Sequence, residues 1–136
     1  MTITHDKRRI TVRDVVTGAM PVPIASDQDP TGALDGLIEW LRKKGLQRRA
    51  RRIVQRAFSG ASRIGKADQD RYAVTAVVRS DGVLEIWLMS RNWRTITITS
   101  RFRRVHMVHD DQGHLAAAIP ARELAETVAV MATVNA

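Results

Sequence analysis

The chain has 136 residues, 44% of them apolar and 26% charged, which is the composition of a globular domain with a sizeable core. It contains no cysteine, so disulfides, cysteine-ligated zinc and thiol catalysis are excluded. No apolar run is long enough to span a bilayer, and no apolar stretch follows the basic residues at the N-terminus, so we expect a cytoplasmic protein without a membrane partner. We treat residues 1–136 as a single domain.

The first 30 residues predict little regular structure. Ile10, Val12, Val15 and Val16 belong to a β-branched stretch that indicates one short strand. The following segment, residues 17–30, combines prolines with small polar residues and is expected to be irregular.

Two helices are predicted between residues 31 and 58. The apolar residues of each fall at i, i+3, i+4 and i+7, which gives one stripe per helix. On one continuous helix the two stripes would lie on nearly opposite sides, so we expect a break. Gly45 is the expected stop of the first helix, in a left-handed conformation, giving a helix–turn–helix-like pair over 31–44 and 46–58. The stripes are Leu34, Leu37, Ile38 and Leu41, then Leu46, Ala50, Ile53, Val54 and Ala57.

The segment 72–119 predicts an antiparallel β-meander. Ser80-Asp81-Gly82 is a hairpin signal, and Arg91-Asn92 and residues 110–113 mark two further turns. Thr95, Thr97 and Thr99 alternate with isoleucines and are expected to face solvent. Pro120 then suits the first turn of a C-terminal helix over 120–134. The end of this segment is rich in β-branched residues, so a strand is the alternative there. The predicted fold class is therefore α+β.

The net charge of +8 is concentrated between Arg42 and Arg56. This segment holds eight basic residues and no acidic one, while the other 14 basic residues are balanced by 14 acidic ones. Such a local excess indicates a polyanionic partner, most simply nucleic acid. The candidate binding residues are Arg42, Lys43, Lys44, Arg48, Arg49, Arg51, Arg52 and Arg56.

On the helix 46–58 the arginines occupy the side opposite the apolar stripe. A solvated helix face normally mixes signs to gain ion pairs, whereas here the neighbouring charges repel one another. We therefore expect a non-enzymatic, nucleic-acid-binding protein of bacterial or phage type, with a regulatory or architectural role. Duplex DNA is the expected nucleic acid, and the guanidinium fork matches phosphate oxygens and guanine edges.

A secondary basic cluster near the sheet edge comprises Arg101, Arg103 and Arg104. It extends the phosphate track or, more simply, blunts an edge strand. Trp87 and Trp93 are expected to serve packing rather than base stacking. The sheet is also a candidate homodimer surface.

Two other stretches resemble ligand-binding motifs but lack a residue or a geometry that the motif requires. Residues 60–66 have the spacing of a phosphate-binding P-loop, but Ala67 stands where the magnesium-ligating hydroxyl belongs. His106 and His109 are an odd number of residues apart and so point to opposite faces of a strand, and the following aspartates suit a turn. We therefore expect no metal site, no cofactor and no catalytic residues.

Two alternative functions remain open. The order of a strand, two helices and an antiparallel meander resembles that of small bacterial ribonuclease toxins, which cut mRNA without a metal. The resemblance implies that Arg79, Arg101, His106 and His109 would serve catalysis, but an extra strand and a C-terminal segment depart from that plan. The other alternative is a virion or anti-defence protein whose basic helix binds an acidic protein.

Overall fold

The computed structural model describes residues 9–27, 42–59, 68–102, 104–112 and 114–134. Most of the predicted first helix, residues 31–41, lies outside the described residues, as do the P-loop-like stretch 60–66 and Arg103. The fold is α+β, as predicted, with helices packed on one face of a six-stranded sheet.

The six strands of the sheet lie side by side in chain order. The first strand pairs in parallel with the second, and all later pairs are antiparallel, so the predicted meander over 72–119 is confirmed. Gly82 supplies the left-handed residue of the first hairpin, with φ of 83°. The strands are β1 (Ile24–Ser26), β2 (Tyr72–Val78), β3 (Leu84–Ser90), β4 (Thr95–Phe102), β5 (Val105–Asp110) and β6 (Leu115–Pro120).

Three α-helices complete the described part: α1 (Val12–Val16), α2 (Lys44–Ser59) and α3 (Leu124–Val134). A 3-10 turn over Ala121–Glu123 leads into α3, so the predicted C-terminal helix is confirmed. The central helix α2 packs against α1, α3 and β3. Alternate sheet positions such as Ile86, Leu88 and Ile98 are fully buried beneath the helices.

The predicted N-terminal strand over residues 10–16 is wrong, because Val12–Val16 forms α1. Thr11 caps this helix: its hydroxyl accepts a hydrogen bond from the Asp14 amide at 3.3 Å, and the Asp14 carboxylate accepts one from the Thr11 amide at 3.0 Å. This reciprocal cap satisfies amides that a short helix cannot pair internally. The N-terminal strand is instead β1, in the segment predicted to be irregular.

The expected threonine face is only partly correct. Thr95 and Thr97 are half-buried, but Thr99 is only 5% exposed. Thr99 lies between Glu85 and Met107 on the neighbouring strands, whose longer side chains flank it.

A turn at Lys43 separates the helical residue Arg42 from α2, which begins at Lys44. The predicted left-handed stop at Gly45 is wrong, since Gly45 belongs to the first turn of α2 and has no positive φ. The Lys43 carbonyl already accepts the first helical hydrogen bond, from the Gln47 amide at 2.9 Å. The chain thus breaks two residues earlier than the glycine indicated.

Gly45→Ala is expected to stabilise the protein by about 0.5–1 kcal/mol, because alanine loses less backbone entropy in a helix than glycine. An added Cβ would meet nothing within 4 Å, so no clash offsets the gain. A thermal melt measures the effect as a rise in Tm of a few degrees. A fall in Tm would mean that Gly45 adopts a left-handed conformation after all.

Candidate nucleic-acid interface

The buried side of α2 holds the helix firmly on the protein. Ala50, Val54 and Ala57 are completely buried, and Phe58 is almost so. The Phe58 ring lies against that of Tyr72, with 6.1 Å between ring centroids and 54° between the planes. The predicted apolar stripe is confirmed, and it leaves the opposite side of the helix to the arginines.

The α2 arginines line the outer side of the helix. The side chains of Arg48, Arg51, Arg52 and Arg56 are exposed, while that of Arg49 is half-buried. Within the described part of the chain, no carboxylate forms an ion pair with any of these five guanidinium groups. An array of cations without local anions repels itself, and an external polyanion relieves that repulsion.

Several arginines outside α2 form ion pairs with carboxylates. Arg13 contacts Asp70 at 2.9 Å and Arg79 contacts Asp81 at 3.0 Å, both through carboxylate oxygens. Arg71 pairs with Asp68 at 3.3 Å. These three arginines are opposed by carboxylates, unlike the five arginines of α2.

The remaining predicted basic residues lie at the N-terminal end of α2. Lys44 is exposed in the first helical turn, Arg42 is exposed just before it, and Lys43 is half-buried. The first turn of α2 carries no acidic residue. A helix N-terminus bears a partial positive charge, so cations there are unfavourable for the helix and add to the attraction for an anion.

A cavity of about 500 Å³ lies between α2 and the strands β4 and β5, and we call it the arginine groove. Ser100 of β4 and His106 of β5 face each other across these strands and form its far wall. One Arg49 Nη donates a hydrogen bond to the Ser100 hydroxyl at 2.7 Å, which fixes the guanidinium against this wall. The lining residues on α2 are Gly45, Arg48, Arg49, Arg52, Ile53 and Arg56.

His106 is unusual among the groove residues because it is only 3% exposed and its Nδ1 has no hydrogen-bond partner in the described part of the chain. Burial, followed by the nearby positive charges of Arg56 and Arg49, holds the pKa of His106 below its ordinary value of 6.5. The imidazole is therefore neutral at pH 7. An unpartnered buried nitrogen is rare and costs about 1–3 kcal/mol, which calls for an explanation.

Polar contacts fix α2 against the N-terminal segment. The Gln47 side-chain amide donates to the Val22 carbonyl, and that of Gln55 donates to the Val16 carbonyl at 3.3 Å. Gly18 has a φ of 82°, and a Cβ added there would lie 2.6 Å from an Arg51 Nη. Glycine at this position thus leaves room for the Arg51 side chain.

The secondary basic cluster lies at the β4–β5 connection. Arg101 belongs to β4, and Arg104 is exposed in the turn that follows. Trp87 is half-buried and donates from its indole to the Glu85 carboxylate at 3.2 Å. The packing role expected for Trp93 is wrong, because this side chain is 80% exposed at a turn with φ of 64°.

Three residues of the ribonuclease alternative, Arg79, His106 and His109, do not converge. His106 faces the arginine groove, whereas His109 lies at an odd separation along β5 and faces the other side of the sheet. Arg79 is held by Asp81 and Glu85 at the β2–β3 hairpin.

Asp110 serves a turn, as predicted. Its carboxylate accepts hydrogen bonds from the amides of Gln112 at 3.1 Å and His114 at 2.9 Å, and it contacts the His114 Nδ1 at 3.0 Å. Burial raises the pKa of Asp110, but these hydrogen bonds outweigh burial and leave the pKa below its ordinary value. In the described ranges, no group of three or more His, Asp or Glu side chains is placed to hold a metal ion.

Sequence reasoning identified the α2 arginines but not the wall that faces them. His106 was considered only in a rejected metal site and in the ribonuclease alternative, and Ser100 was not considered at all. The alternation of β5, with Val108 and His106 on one face, placed His106 on the core side of a sheet. Its proximity to Arg49 follows only from the packing of α2 across the strands.

Comparison of the chain with protein-family models, with curated proteins and with solved structures gave no match. Within the described residues, no helix combines the length and the apolar character needed to cross a bilayer.

Proposed function

We propose that the protein binds nucleic acid, duplex DNA in preference to RNA, through the exposed face of α2. The observation that carries this proposal is the array of five α2 arginines without an ion-pairing carboxylate in the described part of the chain. The role is binding rather than catalysis, in a regulatory or architectural protein of the cytoplasm.

The arrangement suits contact with a phosphate backbone. Arg48, Arg52 and Arg56 are spaced by four residues and form one row along α2, about 6 Å apart at 1.5 Å per residue. Phosphates of one DNA strand repeat about every 3.4 Å of helix axis, so a row of guanidinium groups with this spacing can contact several of them. Backbone contacts of this kind position the protein, and exposed arginines at the centre of the helix can then reach base edges.

The buried side of α2 supports this role. Ala50, Val54 and Ala57 pack in the core, and Gln47 and Gln55 hydrogen-bond to the N-terminal segment, so the helix is held in place without its exposed arginines. Their charges are therefore available to a ligand. An acidic protein is the alternative partner, and the same surface would serve it.

Replacing Arg48, Arg51 and Arg52 together by Gln is expected to weaken binding of a short DNA duplex by at least about 100-fold at 100 mM salt, since each lost phosphate contact costs more than 1 kcal/mol. Glutamine forms helices nearly as well as arginine, so α2 should persist. Fluorescence anisotropy with a labelled duplex measures the affinity, and circular dichroism checks the fold.

The matched control replaces Arg13, Arg91 and Arg122 by Gln. These side chains are exposed and lie outside α2, so the control lowers the net charge equally. It should retain affinity within a few-fold of the original. Equal losses in the two variants would overturn the proposal, because binding would then depend on total charge and not on α2.

A further inference from the structure

The arginine groove has a feature that contact with an exposed backbone does not require. Ser100 and His106 in its wall are 2% and 3% exposed, so a ligand reaches them only by entering the groove. Arg49 is fixed at this wall by its hydrogen bond to Ser100 at 2.7 Å. The groove, which is partly open to solvent, thus combines an oriented guanidinium, a hydroxyl and an imidazole in one place.

The chemistry of these groups favours an oxyanion. Arg49 and Arg56 both lie close enough to His106 to lower its pKa, so two positive charges meet at the imidazole. An entering anion reverses this effect, because its charge favours a protonated imidazole that donates to it. The anion would also offer a hydrogen-bond partner to the imidazole, whose Nδ1 has none among the described residues.

The burial of Ser100 and His106 in the groove wall favours a phosphate monoester over an internal phosphodiester. A diester carries substituents on two of its oxygens, and both chains must leave through the opening of the groove. A monoester carries one substituent and a charge near −2, so three oxygens can face the wall. The cavity of about 500 Å³ is large enough for the attached nucleoside.

We propose that the arginine groove binds a terminal phosphate monoester, held by Arg49, Arg56, Ser100 and His106. The inference deepens the proposed function, on which it rests, by assigning an end-recognising site beside the backbone-binding face. The monoester can come from the phosphorylated 5′ end of a DNA strand or from a free mononucleotide.

The test compares two short duplexes that differ only in a 5′-phosphate or a 5′-hydroxyl, titrated with the full chain at one salt concentration. The phosphorylated duplex is expected to bind about tenfold more tightly, which corresponds to one added charge-assisted hydrogen bond. His106→Phe and Ser100→Ala should reduce this ratio to nearly one while the hydroxyl duplex binds as before. Both substitutions leave the net charge at pH 7 unchanged, so a ratio caused by general attraction would survive them.

A second arm identifies the source of the monoester. A nucleoside 5′-monophosphate is added as competitor at constant ionic strength, and the His106 ring signals are followed by NMR. Displacement of the phosphorylated duplex supports a site that also accepts mononucleotides. If the duplex is not displaced while its tenfold preference over the hydroxyl duplex remains, the site recognises strand ends.

Two results would overturn the inference. A ratio near one in the original protein means that the groove does not distinguish a monoester. A tenfold ratio that persists in both His106→Phe and Ser100→Ala means that the groove wall is not responsible. Either result leaves binding of the hydroxyl duplex, and hence the proposed function, intact. If instead the protein binds no duplex but a mononucleotide still shifts the His106 signals, only the proposed function is overturned.

Discussion

Duplex DNA is expected to bind about 500-fold more weakly at 200 mM than at 50 mM salt, if the five α2 arginines each neutralise one phosphate. Every neutralised phosphate releases condensed counterions and contributes about −0.9 to the slope of log K against log salt, which gives a total near −4.5. The measurement is a series of anisotropy titrations over that range of salt. An affinity that changes less than about tenfold would mean that one phosphate contact or fewer is made.

His106→Phe is expected to raise the free energy of unfolding by about 1–3 kcal/mol at pH 7. The substitution removes a buried nitrogen that has no hydrogen-bond partner among the described residues and keeps a planar ring, and the adjoining cavity accommodates the one additional ring atom. A residue that weakens the fold while completing a ligand site is the pattern expected of a functional side chain.

The difference in stability between the original protein and His106→Phe is expected to depend on pH. Burial and the charges of Arg56 and Arg49 depress the pKa of His106 in the folded protein, so the unfolded chain takes up its proton first, near pH 6.5. The original protein should therefore lose stability relative to His106→Phe as the pH falls below about 6.5. Urea melts of both proteins at pH 7.5 and pH 5.5 measure the difference. If the difference in free energy of unfolding between the two proteins is smaller at pH 5.5 than at pH 7.5, the pKa of His106 is not depressed.

Periodic patterns were sufficient to predict much of the fold. The alternation of β4 and the Asp81-Gly82 turn located the meander, because a two-residue period and a left-handed turn have few other solutions. The spacing of Ala50, Val54 and Ala57 likewise identified the buried side of α2. Each of these signals is local and repeats several times.

Single residues were less informative. The β-branched run at Val12 favoured a strand, but the cap by Thr11 and Asp14 and the packing of Val12 and Val15 in the core determine a helix. Gly45 suggested a helix end because glycine tolerates left-handed backbone, yet it also fits an exposed first turn where no side chain is required. In both cases the tertiary environment, not the local propensity, decides the conformation.

The candidate site was predicted only in part, for a related reason. Charge along one helix is visible in the sequence, so the α2 arginines were found. The arginine groove joins residues about 50 positions apart, such as Arg49 and Ser100, through the packing of a helix across a sheet. No local sequence pattern predicts that contact.

The most direct test of an α2 interface is the salt slope measured side by side for three proteins. These are the original chain, the variant with Arg48, Arg51 and Arg52 changed to Gln, and the control with Arg13, Arg91 and Arg122 changed to Gln. Binding through α2 predicts that the first variant has a slope shallower by about 2.7, for three lost phosphates, while the control keeps the original slope. Equal slopes in all three proteins would contradict it.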